Sequence, residues 1–92
     1  MMEELEYLRK YFRVIEILRF NIVSNYVTGM VTAQDIEEFK EKFFDFRERL
    51  YKFETDETNL LEIANMKSKL QHYNTEVLED ENILEVAYSN SN

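Results

Sequence analysis

One glycine and no proline in 92 residues leave this chain almost nothing with which to build tight turns. Glycine and proline are the residues that punctuate β-hairpins and loops, so their near absence predicts long uninterrupted helices. The fold class expected is all-α, a single helical domain over residues 1–92, since chains this short rarely divide. With 45% apolar and 14% aromatic residues, the composition is that of a folding chain rather than of a disordered acidic tail.

The spacing predicts a first helix over about 3–27, closed by the sole glycine, Gly29, in the left-handed conformation. Thr32 followed by Asp35 has the form of a capping box, which starts a second helix over about 33–53. Along it Ile36, Phe39, Phe43, Phe46, Leu50 and Phe53 recur at steps of three and four, a stripe packed along one seam. The run Glu54 to Thr58 interrupts that stripe with cap-type residues and marks a turn. A third helix is expected over about 57–79, burying Leu60, Ile63, Met66, Leu70, Tyr73 and Val77. Residues 80–88 read either as a short helix capped by Asp80 or Asn82, covering Ile83, Leu84 and Val86, or as a strand. Ser89 to Asn92 read as a polar, frayed end.

The first helix is apolar on two sides. Leu5, Leu8, Phe12, Ile15, Ile22 and Tyr26 form one stripe, and Tyr7, Tyr11, Val14 and Leu18 form another. A helix apolar on two faces needs two partners, so a homodimer whose interface is Tyr7, Tyr11, Val14 and Leu18 is expected, the other outcome being a first helix central in its own bundle.

Charge is unevenly spread. The net charge is −8, residues 1–28 balance, and residues 54–92 set nine acids against only Lys67 and Lys69. Such a field repels nucleic acid and anionic lipid and attracts basic protein surfaces. No cysteine is present, which fits a reducing cytosol. The acidic opening and the charges breaking each apolar run argue against a signal peptide or a membrane span, so a cytoplasmic location is expected.

Nothing in the residues spells catalysis. The sole histidine, His72, has Glu76 one turn on, a pair that more often marks a solvated helical face than an acid–base site. Glu79, Asp80 and Glu81 lack the glycine that a hard-cation loop bends at. No cofactor or metal is expected, and no enzyme.

Several carboxylates read as neutralised in their own helix: Glu6 with Lys10, Glu38 with Lys42, Asp45 with Arg49 and Glu48 with Lys52. Subtracting these leaves Glu37 and Glu41, the turn cluster Glu54, Asp56 and Glu57 with Glu62, and the late group Glu76, Glu79, Asp80, Glu81 and Glu85 as the acids free to meet a partner. Carboxylates one turn apart lie about 5–6 Å from each other, roughly every second phosphate of a DNA strand.

The opening MMEELEYLRKYF, the length of 92, the acidic helical composition and the lack of cysteine together resemble the Arn family of phage anti-restriction proteins, small acidic DNA mimics. The resemblance implies a dimeric protein of the host cytoplasm that occupies the DNA-binding surface of the McrBC restriction endonuclease, with basic nucleoid proteins as further partners. It assigns no residue roles. The expected mechanism is competitive occlusion, carboxylates taking the place of phosphates in a basic cleft. The competing expectation is a helical adaptor that docks a host protein through an apolar aromatic face. Direct nucleic-acid binding is disfavoured, because the basic group Arg9, Lys10 and Arg13 is balanced by nearby acids.

Overall fold

The computed structural model describes residues 2–54 and 57–90. Four helices follow one another, α1 Met2–Val27, α2 Ala33–Lys52, α3 Leu60–Tyr73 and α4 Glu81–Ser89. A 3₁₀ turn, Glu57–Asn59, leads into α3, and a π-helical turn, Asn74–Leu78, prolongs it. No strand occurs among the described residues, and residues 81–89 take the helical alternative. The body is a rod of 47 × 19 × 18 Å.

Local chemistry sets each boundary. Gly29 has φ +75°, and its N–H donates to the Tyr26 carbonyl while that of Met30 donates to the Asn25 carbonyl. That pair of bonds closes α1 as a Schellman motif, consuming carbonyls that the helix end would otherwise orphan. Thr32 then caps α2 reciprocally: its hydroxyl accepts from the Asp35 N–H, and its own N–H donates to the Asp35 carboxylate. Asp80 starts α4 by accepting from the N–H groups of Asn82 and Ile83.

The core runs the length of the rod. Leu5, Leu8, Phe12, Ile15 and Ile22 of α1 meet Ile36, Phe39, Phe43, Phe46 and Leu50 of α2. Ile63, Met66, Leu70, Tyr73 and Val77 come in from α3 and its π-turn, and Ile83 and Ala87 from α4. Two expectations need correction. Leu60 stands 52% exposed, because it lies on the outward side of the first turn of α3, whose inward residue is Ile63. Leu84 and Val86 are half-buried rather than central, with Ile83 and Ala87 forming the inward face of α4.

Polar side chains tie the helices from outside. Tyr11 donates to Asp45 at 2.8 Å, linking α1 to α2, and Tyr73 donates to Glu16 at 2.8 Å, linking α3 to α1. The Asn90 amide donates to the carbonyls of Gly29 and Val31, so the chain end just after α4 is fastened to the α1–α2 turn. No helix among the described residues is long and apolar enough to cross a membrane.

Candidate functional site

The fastening at Asn90 decides where the acids meet. With its last turn at the start of α2, α4 lies alongside the first half of that helix, and the Tyr88 hydroxyl donates to Glu37 at 2.6 Å. Glu81, Glu85 and Tyr88 are four and three residues apart and therefore share one stripe of α4. The same bond brings that stripe beside Glu37, which shares one exposed surface of α2 with Glu38 and Glu41. Five carboxylates from two helices thus collect at one end of the rod, with Lys40 the base interleaved among them on α2.

Other expected acids are spent inside the molecule. Glu62 is gripped by Arg9 of α1, whose Nε and Nη2 donate to its two oxygens at 2.6 and 2.8 Å. That bidentate bond holds the Glu62 carboxyl below its ordinary value of 4.5 and raises the Arg9 guanidinium. Glu76 is held the same way by Arg19, which also lies over the Tyr73 ring at 5.2 Å. Its carboxyl is likewise lowered, chiefly by the Arg19 hydrogen bonds against an opposing burial contribution. His72 approaches Glu76 at 3.4 Å but stands exposed, and Arg19 already occupies the carboxylate. Glu62 and Glu76 are therefore struts rather than contact points. Both partners lie more than fifty residues away in sequence, so a subtraction confined to one helix does not find them.

Asp80 is occupied as the α4 cap, and Glu79 accepts from the Asn74 amide at 2.9 Å while remaining exposed. Glu54 and Glu57 are exposed at the α2–α3 turn, and Asp56 lies outside the described residues. From Glu37 to that turn α2 rises about 25 Å at ~1.5 Å per residue. Among the described residues, Glu54 and Glu57 therefore lie apart from Glu81 and Glu85, and the unspent acids do not form one continuous field.

The four expected intrahelical pairs divide evenly. Asp45–Arg49 and Glu48–Lys52 form at 3.1 and 2.9 Å. Among the described residues Glu6 with Lys10 and Glu38 with Lys42 do not close to ion-pair distance, which returns Glu38 to the acidic face. Glu38 is the contact candidate that the sequence pattern missed, since an i,i+4 partner permits a pair without enforcing it.

The second stripe of α1 also splits. Tyr11 and Leu18 are half-buried against the chain's own core, Tyr11 with its ring 5.2 Å from Phe46, which leaves only part of each to meet another molecule. Tyr7 and Val14 are 45% and 42% exposed. Beside Val14, Ile17 at 53% and Phe20 at 56% exposure extend an apolar strip that the stripe assignment did not include. Among the described residues, no group of three or more His, Asp or Glu side chains is placed to hold a metal ion. The chain matches no family model, no curated protein and no solved structure.

Proposed function

We propose that this chain is an acidic DNA mimic that occupies the basic DNA-binding surface of a host nuclease, keeping phage DNA out of it. The McrBC-type endonuclease is the partner that the sequence resemblance suggests, with basic nucleoid proteins as secondary targets. The observation that carries this reading is the five-carboxylate face of Glu37, Glu38, Glu41, Glu81 and Glu85, assembled from two helices and clear of ion pairs among the described residues. A duplex as long as this 47 Å rod carries about 28 phosphate charges at one per ~1.7 Å. A chain of net −8 cannot match that density along its whole length, so a local face that imitates a few phosphates is the workable form of mimicry.

Reversing Glu38, Glu41, Glu81 and Glu85 to lysine tests the face without touching a strut, a cap or the Tyr88–Glu37 bond that holds α4 to α2. Competition between the protein and duplex DNA for the nuclease, followed at two salt concentrations, is the measurement. Mimicry requires that the quadruple variant lose inhibition while keeping its helical signal, and that wild-type inhibition fall steeply with salt. Retained inhibition in the variant removes the proposal.

A second reading rests on the strip Val14, Ile17 and Phe20. It is a docking face for a second copy of the chain, which makes the homodimer, or for an apolar groove on a host protein, which makes an adaptor. Binding through that strip would be nearly flat in salt, and the same titration separates it from mimicry.

A further inference from the structure

Across the seam between α2 and α3 two cations face one recess. Arg47 of α2 and Lys67 of α3 line a cavity of about 150 Å³ together with the amides of Gln71 and Asn74, above a floor of Phe43 and Leu70. Neither cation is in an ion pair among the described residues, although acids outnumber bases 19 to 11 in the chain. Each is instead positioned by an aromatic ring. The Arg47 guanidinium lies 4.7 Å from the Phe44 centroid, and the Lys67 ammonium lies 4.6 Å from that of Tyr51. Such stacking holds a cation in place while leaving its N–H groups free to donate.

The nearby carboxylates are turned to other tasks. Glu48 is drawn to Lys52 at 2.9 Å, and Glu79 accepts one N–H of Asn74, whose amide has a second to give. Asn74, where the π-helical turn begins, lines the recess on the same stripe as Lys67 and Gln71. Short π segments inside α-helices frequently sit at functional sites. Two positive and two amide donors converging on a small polar hollow are the donor set for an oxyanion.

An open shelf on the outer face of α2, made by Phe44, Arg47, Glu48 and Tyr51, adjoins the recess and shares Arg47 and Tyr51 with it. A ligand with an anionic group and a flat ring can span both spaces. From this we infer that the α2–α3 seam binds a nucleoside monophosphate, its phosphate in the recess on Arg47, Lys67, Gln71 and Asn74, its base on the open shelf against Tyr51. Base stacking on an exposed aromatic ring or on a guanidinium plane supplies the second anchor. This site stands apart from the acidic α2–α4 face and does not depend on the mimicry reading.

The test is a titration of isotope-labelled protein with adenosine 5′-monophosphate, with adenosine and inorganic phosphate as separate arms, followed by amide and side-chain NMR shifts. Shifts should concentrate on Arg47, Tyr51, Lys67, Gln71 and Asn74. Arg47→Gln and Lys67→Gln should each weaken binding about tenfold, the scale of one charge-assisted hydrogen bond, with an unchanged thermal midpoint. Adenosine and phosphate alone should each bind about tenfold or more weaker than the monophosphate. The inference is overturned if no binding is seen at millimolar ligand, if either arm alone equals the monophosphate, if both variants bind as wild type, or if shifts spread evenly over Lys10, Arg13 and Lys69.

Discussion

Arginine pairs make the tertiary structure specific at the level of single side chains. Arg19 grips Glu76 with two bonds, covers the Tyr73 ring, and sits where less than a third of either charged side chain reaches solvent. Replacing Arg19 by alanine removes the stack and strands Glu76, at a cost of about 1–3 kcal/mol in chemical denaturation. The depressed Glu76 carboxyl adds a pH signature. Its contribution is fully present above the ordinary value of 4.5 and disappears as pH falls through the lower folded value, so the Arg19→Ala profile should be flatter below pH 4.5. Tyr73 works in the opposite direction. Burial first, then its bond to Glu16, pushes the phenol from 10.0 up to about 12. The neutral form is the stabilised one, so its contribution persists below pH 10 and is lost between pH 10 and 12. Tyr73→Phe should be less stable than wild type by about 1 kcal/mol at neutral pH, with the gap closing as wild type is titrated through that window.

The helices show which parts of a fold a sequence can announce. Gly29 and the Thr32–Asp35 box were legible, and Asp80 was one of two caps open to residues 80–88, because a helix end is decided by residues within four or five positions of it. The stripe on α2 was legible for the same reason, every member but the boundary residue Phe53 being buried. Leu60, Glu62 and Glu76 were misread because their fates depend on how α3 lies against α1, a relation between residues more than fifty apart. The π-turn over Asn74–Leu78 has no local signal in the sequence at all. Two substitutions measure what the ends are worth. A Cβ added at Gly29 would meet nothing within 4 Å, so Gly29→Ala isolates the cost of the left-handed backbone, about 1–2 kcal/mol in thermal unfolding. Gly29→Asn should cost less, since asparagine tolerates that region. Asp80→Ala removes an acceptor for two N–H groups and should cost about 1 kcal/mol. Hydrogen exchange should localise that loss to α4, leaving α1 and α2 protected.

Over the whole molecule, charge and apolar surface are segregated. The acidic face occupies the α2–α4 side at one end, while Val14, Ile17 and Phe20 form their strip on α1, whose inner face is already committed to the core. A rod about 19 Å across gives each long helix one inward face and leaves another outward. In the sequence α1 shows two apolar stripes because it carries both the core and this outer strip, but it does not show which residues belong to which. Angular position resolves it: Tyr11 and Leu18 sit at the margin of the buried side, whereas Ile17 and Phe20 lie away from it. Single exposed apolar residues need no partner, but three adjacent on one helix are a contact candidate. If that strip joins two copies, sedimentation equilibrium at micromolar protein should give twice the mass of the chain, and Ile17→Lys with Phe20→Lys should return the chain mass. Because neither residue is buried in the single chain, the double variant should keep its helical signal, so loss of association cannot be mistaken for unfolding. A wild-type mass equal to one chain would leave the strip to a different partner and would confine the acidic surface to the five carboxylates of a single copy.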